Sequence, residues 1–285
     1  MLAVNDLSFS YDTRDILQEV TLSFKPGELV SILGINGSGK STLLKAMANI
    51  LKPYQGTVSV DGQGIISMSG DQRAKKIGYM PQKSNGVACS VFDAVLLGRK
   101  PHIVWRASEH DLKVVSDILT LLHLEDYALR STTELSGGEL QKVVIARALA
   151  QEPRILLLDE PISHLDIRNQ METMALLQRI SRELELVVVV VIHDLSTALR
   201  FSDRFALIRR GKIHAVGGRE IITSESIRAV FDIDAMVHEI EGIPVVVPFV
   251  RGENDALQYS GMRPVQYYVT ICGKRPLTHI ASARG

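Results

Sequence analysis

The sequence predicts an α/β fold in which a mostly parallel sheet carries an inserted helical segment. Short apolar runs bounded by turns alternate with segments whose apolar residues recur at helical spacing. Two of these runs, 155–158 and 186–192, are continuously apolar, as is typical of parallel strands covered by helices on both faces. Between about residues 85 and 152 the spacing is helical, which indicates the insertion.

The amino-terminal part of the chain alternates apolar runs with turns. A Gly-rich loop follows the third run, and the segment after it has apolar residues at helical spacing. We therefore predict four strands and one helix, at Leu2–Phe9, Ile16–Phe24, Glu28–Leu33, Gly56–Val60 and, for the helix, Ser41–Leu51.

The middle of the chain is predicted to be helical and is followed by a βαβ unit. Ser108 and Asp111 have the spacing of a capping box at the start of the second helix. The helices are expected at Val91–Leu97, Ser108–Leu122 and Glu139–Ala150, and the βαβ unit at Ile155–Leu158, Asn169–Leu184 and Leu186–Ile192.

A further strand at Phe205–Arg209 and a helix at Ser224–Phe231 lead into the carboxyl-terminal segment. Residues 241–285 lack a clear period and receive no role from the residues alone. Val245–Val247 and Tyr267–Val269 are the candidates for short strands in this segment.

Composition excludes several classes of protein. Lys+Arg and Asp+Glu both total 32, so the net charge of zero gives no field that attracts nucleic acid or an anionic membrane. The longest apolar stretch, Leu186–Ile192, is far shorter than the roughly 18 residues that cross a bilayer, and the amino terminus lacks a signal pattern. We expect a cytoplasmic chain with two reduced thiols, Cys89 and Cys272.

Residues Gly34–Ser41 match the pattern G-x-x-x-x-G-K-[ST] of a phosphate-binding P-loop, placed after a strand and before a helix. The glycines allow backbone N–H groups to surround phosphates at a helix amino terminus. Lys40 is expected to reach the β and γ phosphates of ATP, and the Ser41 hydroxyl to ligate Mg²⁺.

Asp159 and Glu160 end a buried strand, so their carboxylates emerge at the edge where α/β folds bind ligands. Two acids in this position are often an ordinary strand end. With a P-loop upstream, Asp159 suits Mg²⁺ and Glu160 suits the attacking water. His193 also follows an apolar strand, and both a structural and a functional role remain open.

The segment Leu135–Glu139 opens a helix with one serine and two glycines. Such a start can bind an anion, although a plain helix cap is the commoner use of this pattern.

These motifs, with Gln82 and residues 163–166, resemble the ABC ATPase family in order and approximate spacing over about residues 1–235. The resemblance implies a P-loop NTPase core with an antiparallel β subdomain and an inserted α-helical subdomain. It places the ATPase domain at 1–240 and leaves 241–285 as an extension.

The resemblance also implies residue roles. Gln82, Glu160 and His193 are catalytic, Asp166 belongs to the D-loop, and the metal ligands are Ser41, Gln82 and Asp159 for Mg²⁺. Tyr11 stacks on the adenine, and ATP is held by Tyr11, Gly34, Asn36, Gly37, Ser38, Gly39, Lys40, Ser41 and Thr42.

By the same resemblance, Ser136, Gly137, Gly138 and Glu139 form a signature loop that contacts ATP bound to a second copy of the chain. Two copies then close head to tail around two ATP molecules. This sequence departs from the family's pattern at Glu139, where glutamine is common, and at Ile162, where threonine is frequent.

At finer grain, residues 91–99, 163–166 and 242–248 are similar to ATPases of metal-chelate importers for ferric siderophores, haem or cobalamin. This implies membrane permease partners, an indirect link to a substrate-binding protein and a place on the cytoplasmic face of the cell membrane. The alternatives are a soluble ABC ATPase that drives assembly or repair, and a nucleotide-binding regulator without turnover.

Overall fold

The structure, a computed structural model, describes residues 1–82 and 88–249. Its strands are β1 Leu2–Tyr11, β2 Arg14–Phe24, β3 Leu29–Leu33, β4 Gln55–Val60, β5 Gln63–Gly64, β6 Ile77–Met80, β7 Ile155–Asp159, β8 Val187–Val191, β9 Arg204–Arg209, β10 Lys212–Gly217, β11 Asp234–Ile240 and β12 Ile243–Phe249. Its α-helices are α1 Lys40–Met47, α2 Gly70–Ala74, α3 Val91–Leu96, α4 Glu109–Leu121, α5 Gly137–Leu149, α6 Ile167–Glu183, α7 Leu195–Phe201 and α8 Ser224–Phe231.

The larger sheet has six strands in the order β10-β9-β3-β8-β7-β6. Its strands run parallel except for β10, so the expectation of a mostly parallel sheet is confirmed. Every residue of β3, β7 and β8 is buried. Because these three strands are neighbours, their carboxyl ends bring the P-loop, Asp159 and His193 to one edge of the sheet.

A second sheet, antiparallel and four-stranded in the order β2-β1-β4-β5, packs beside the first. Side chains alternate between the two faces of β3: Val30 and Ile32 join a core with α1 and the antiparallel sheet, while Leu29 and Leu33 join the helices opposite. This is the antiparallel β subdomain that the family resemblance implies. The sequence patterns did not predict β5, β6, β10 or β11, which are two, four, six and seven residues long.

Helices α3, α4 and α5 form the inserted helical segment. Its predicted start, residue 85, lies outside the described residues. The capping box of Ser108 and Asp111 at the start of α4 is confirmed. Arg99, almost completely buried, donates from Nε to Asp111 Oδ1 at 2.9 Å and from Nη1 to the Ala150 carbonyl at 2.8 Å and to Glu152 Oε2 at 2.6 Å. This buried cation therefore joins the start of α4 to the end of α5.

Strands β11 and β12 form an antiparallel hairpin whose turn, Glu241–Gly242, has positive φ at both residues. The boundary predicted at residues 240–241 falls at this turn, and the compact unit continues to Phe249. Residues Tyr267–Val269 and Cys272 lie outside the described part. Cys89 is a free cysteine. In the ranges 1–82 and 88–249, no helix is long and apolar enough to span a bilayer.

Candidate nucleotide site

The P-loop joins β3 to α1 in a conformation that depends on glycine. Gly37 and Gly39 have φ values of 76° and 106°, which side-chain-bearing residues rarely adopt. A Cβ on Gly34 would lie 2.2 Å from the carbonyl oxygen of Ile208 on the neighbouring strand. The loop therefore lies close against the end of the sheet. Its glycines leave the space around the backbone N–H groups open for a ligand.

Lys40 lies inside this loop. Its Nζ atom donates to the carbonyl oxygens of Gly34 at 2.8 Å and Ile35 at 2.9 Å. Burial lowers the pKa of the Lys40 ammonium, an effect that Glu160 and Asp159 oppose. A buried cation at the amino end of α1 is well placed to receive an anion.

The buried hydroxyl of Ser38 has no hydrogen-bond partner among the described residues. An unpaired polar group that is fully buried is costly unless a ligand satisfies it. The P-loop thus presents both a buried cation and an open hydrogen-bonding group, which fits a phosphate.

A cleft of about 290 Å³ opens above the P-loop. Tyr11, 47% exposed, stands at its rim with its ring edge-on to Phe9, the centroids 4.8 Å apart. Arg14 and Ile16 also line the cleft, and no sequence motif points to either because they lie in a strand without one. The predicted ATP-binding residues that line it are Tyr11, Asn36, Gly37, Gly39, Lys40, Ser41 and Thr42.

Ser41 and Asp159 meet at the floor of the site. The Ser41 hydroxyl donates to Asp159 Oδ1 at 2.9 Å. Burial raises the pKa of Asp159, and so does the nearby Glu160. The hydroxyl oxygen of Ser41 and the carboxylate of Asp159 are oxygen ligands of the kind that Mg²⁺ prefers. Residues 1–82 and 88–249 contain no cluster of three His, Cys, Asp or Glu side chains that could hold a metal.

Glu160 lies between two side chains from other elements. Its Oε2 atom accepts a hydrogen bond from Nε2 of Gln82 at 2.8 Å, and its Oε1 atom lies 2.7 Å from Nε2 of His193. His193 precedes Asp194, whose carboxylate caps α7. The structure therefore brings the three predicted catalytic residues together beside the P-loop cleft.

The segment predicted as a signature loop caps α5. The Ser136 backbone N–H and hydroxyl donate to Glu139 Oε2 at 2.8 and 2.7 Å, and Ser136 Oγ accepts from the Glu139 N–H, which completes a capping box. Hydrogen bonds from Ser136 and Tyr127 hold the pKa of Glu139 below its usual range. A Cβ on Gly138 would lie 2.4 Å from Oδ1 of Asn169, so a larger residue here would displace the Asn169 side chain where α5 meets α6.

Asp166 caps α6, accepting from the backbone N–H of Asn169 at 2.8 Å. None of residues 136–139 is among the described residues that line the P-loop cleft. Gly137 instead lines a second cleft of about 340 Å³ beside Gln82 and Glu160. One chain therefore assembles the P-loop side of the site and leaves Ser136 outside the P-loop cleft.

The ABC transporter family model matches residues 17–163. An ABC transporter ATP-binding protein from Methanocaldococcus jannaschii is 53% identical over 87% of this chain and 98% of its own length. The hemin import ATP-binding protein HmuV of Pseudomonas aeruginosa is 39% identical over 87% of this chain and 99% of its own length.

This chain is also similar to solved structures of ABC proteins. A metal-chelate type ABC transporter in an inward-facing conformation is 32% identical with a TM-score of 0.76, over 87% of this chain and 97% of its own. The dimeric ATP-binding cassette MJ0796, bound to ADP and phosphate, is 31% identical with a TM-score of 0.66, over 76% of this chain and 98% of its own.

Proposed function

This chain belongs to the ABC transporter family as an ATP-hydrolysing subunit, and we propose that it drives an importer by closing as a dimer around ATP and Mg²⁺. The observation that carries the proposal is the position of Glu160, hydrogen-bonded to Gln82 and His193 beside the P-loop. A carboxylate held at this point can orient a water molecule toward a γ-phosphate and accept its proton.

The other residues of the site bind the nucleotide and the metal ion. Lys40 and the backbone N–H groups of the P-loop bind the phosphates, and Tyr11 at the rim of the cleft stacks on the adenine. Ser41 and Asp159 hold Mg²⁺, assisted by Gln82. When bound, Mg²⁺ neutralises charge on the phosphates. His193 and Gln82 position the Glu160 carboxylate until ATP enters, and His193 then contacts the γ-phosphate.

Each complete site needs two copies of the chain. Ser136, Gly137 and Gly138 stand at the amino terminus of α5, apart from the P-loop cleft of the same chain. In a head-to-tail dimer with two-fold symmetry they face ATP on the partner, with Asp166 of the D-loop at the same interface. The dimeric cassette to which this chain is similar supports this arrangement.

The cargo is proposed from relatives alone. Curated relatives include import ATP-binding proteins for petrobactin, hemin and cobalamin. We therefore assign this chain to a metal-chelate importer of the siderophore, haem or cobalamin type. It would sit on the cytoplasmic face of the cell membrane, held by permease subunits near Gln82 and the helical segment, with a substrate-binding protein as an indirect partner.

Mixing two inactive variants tests the shared sites. Lys40→Ala removes the phosphate ligand, and Ser136→Arg blocks the signature loop. In a mixed dimer, one site combines both defects, while the other combines an intact P-loop with an intact signature loop. ATP hydrolysis should be lost in each variant alone and partly recovered on mixing. Normal hydrolysis by Ser136→Arg alone, or no recovery on mixing, would contradict sites shared between two copies.

Purification of the tagged chain from detergent-solubilised native membranes tests the transporter assignment. A polytopic permease recovered near one-to-one with the chain would support it, and the identity of the associated binding protein would narrow the cargo. Recovery with assembly, repair or ribosomal proteins in soluble fractions would favour the non-transport alternative. Steady hydrolysis by the purified complex excludes a regulator that only binds nucleotide.

A further inference from the structure

Tyr79, on strand β6, carries a buried hydroxyl that the proposed mechanism does not use. Its oxygen is shielded from solvent and has no hydrogen-bond partner within residues 1–82 and 88–249. Burying a hydroxyl without a partner costs free energy, so buried hydroxyls in proteins generally bond to protein, to water or to a ligand. Tyr79 precedes Gln82 by three residues, so this hydroxyl belongs to the segment that leads into the nucleotide site.

The register of the sheet places Tyr79 on the same face as Asp159. Tyr79 lies opposite Leu157 in the parallel pair of β6 and β7. Leu157 belongs to the core that includes residues of α1, and Tyr79 packs against that core. Since side chains alternate along a strand, Asp159, two residues after Leu157, points to this same face. The hydrogen bond from Ser41 on α1 to Asp159 agrees with that orientation.

Tyr79 and Asp159 are also close to each other. Neighbouring strands lie about 4.8 Å apart, and two residues advance a parallel strand by about 6.6 Å. These spacings put the two Cα atoms roughly 8 Å apart, with both side chains extending toward α1. Burial, and then the negative charge of Asp159, raise the pKa of Tyr79 to about 12. The carboxylate affects the phenol because the two groups are neighbours in a partly buried site.

We infer that Tyr79 is a positioning residue for the metal site, whose hydroxyl holds the Asp159 carboxylate through a hydrogen-bonded water molecule when Mg²⁺ is bound. This inference rests on the proposed function. Mg²⁺ in nucleotide sites keeps several waters and has few protein ligands, and its carboxylate ligands are themselves held by further hydrogen bonds. The Ser41 hydroxyl on α1 already donates to Oδ1 of Asp159. Tyr79 supplies a second hydroxyl from the neighbouring strand.

The ring and the hydroxyl of Tyr79 can be tested separately. The ring packs against the core beside α1, and phenylalanine keeps this packing while it removes the hydroxyl. If the hydroxyl only supported the fold, its removal would lower the free energy of unfolding of the ligand-free protein. If it acts on the metal site, its removal instead reduces the contribution of Mg²⁺ to ATP binding.

Equilibrium binding of ATP to Tyr79→Phe, measured with excess Mg²⁺ and in EDTA, tests the inference. All proteins carry Glu160→Gln so that ATP is not hydrolysed. The ratio of the two affinities should fall by about tenfold in Tyr79→Phe, while the affinity in EDTA and the free energy of unfolding of the ligand-free protein stay unchanged. Tyr54→Phe, which removes an exposed hydroxyl that donates to Asp15, is the matched control and should leave the ratio unchanged.

A double-mutant cycle with Asp159→Asn tests whether Tyr79 acts through Asp159. Asp159→Asn should lower the affinity ratio by itself, and adding Tyr79→Phe should then change it little, because the carboxylate that the hydroxyl positions is already lost. An equal fall from Tyr79→Phe in both backgrounds would place its action elsewhere and overturn the inference.

The remaining outcomes also decide the question. An unchanged ratio in Tyr79→Phe would contradict the inference and leave the proposed function intact. A parent protein that binds ATP equally well with Mg²⁺ and in EDTA would contradict the metal site of the proposed function as well. A lower free energy of unfolding together with an unchanged ratio would show that the hydroxyl only stabilises the fold, which would overturn the inference.

Discussion

Nε2 of His193 lies 2.7 Å from Oε1 of Glu160, although 33 residues separate them in sequence. Glu160 follows β7 and His193 follows β8, and these two strands are hydrogen-bonded neighbours. The imidazole and the Gln82 amide therefore fix both oxygens of one carboxylate beside the P-loop. This arrangement explains why a carboxylate at the end of a strand can serve as a catalytic group rather than as an ordinary strand terminus.

Glu160→Gln should lower the rate of ATP hydrolysis by about a hundredfold or more and leave ATP affinity within a few-fold of the parent. The amide keeps the size of the side chain but cannot accept the proton of water. Steady-state hydrolysis and equilibrium nucleotide binding separate these two effects. Glu183→Gln, an exposed carboxyl at the end of α6, is the control. Retention of full activity would show that Glu160 has no catalytic role.

Ser41→Ala should raise the Mg²⁺ concentration for half-maximal hydrolysis by about tenfold, because it removes one of two protein oxygens on the floor of the site. Binding of ATP measured in EDTA should change little, since Lys40 and the loop backbone remain. Ser67→Ala, which removes an exposed hydroxyl that donates to the nearby Gly64 carbonyl, is the matched control. An unchanged Mg²⁺ requirement would argue against the assigned metal ligand.

Glu139→Gln should lower the ATP concentration for half-maximal hydrolysis by about three- to tenfold. The Glu139 carboxylate lies 2.7 Å from the Ser136 hydroxyl, and its pKa is lowered mainly by that hydrogen bond, so it is ionised at neutral pH. In the proposed dimer this negative charge approaches the triphosphate on the partner. ATP titrations at low ionic strength measure the effect, with Glu134→Gln as control. A higher ATP requirement would mean that the ionised cap is needed for assembly.

Asp111→Asn should lower the free energy of unfolding at pH 7 by about 2 to 4 kcal/mol, because it breaks a buried ion pair with Arg99. Hydrogen bonds from Ser108, followed by the Arg99 guanidinium, hold the pKa of Asp111 well below its usual range. Because the pKa of Asp111 is lower in the folded than in the unfolded protein, its ionised carboxylate stabilises the fold above the unfolded pKa of about 4. This contribution is lost as the pH falls below that value.

Urea unfolding of Asp111→Asn and wild type at pH 7 and pH 3 tests both parts. The difference between the two proteins should shrink by about 1.4 kcal/mol per pH unit below about pH 4. Asp117→Asn, on an exposed position of the same helix, is the control. A difference that is the same at both pH values would show that the ionised form of Asp111 does not stabilise the fold.

Local sequence patterns alone predicted the P-loop, two strands of the core and the cap of one helix. Strand, Gly-rich loop and helix predicted the P-loop because phosphate binding needs glycine dihedrals and a helix amino terminus at fixed spacing. Continuous apolar runs predicted β7 and β8 because strands buried on both faces consist mostly of apolar residues. The spacing of Ser108 and Asp111 predicted a cap that depends only on four consecutive residues.

The tertiary structure determined which side chains from distant parts of the chain lie close together. The order of β3, β8 and β7 in the sheet places Lys40, Asp159 and His193 at one edge, and sequence spacing does not set strand order. Only packing shows that Gly138 lies directly against the side chain of Asn169. These properties arise from contacts between distant segments, and therefore no local pattern encodes them.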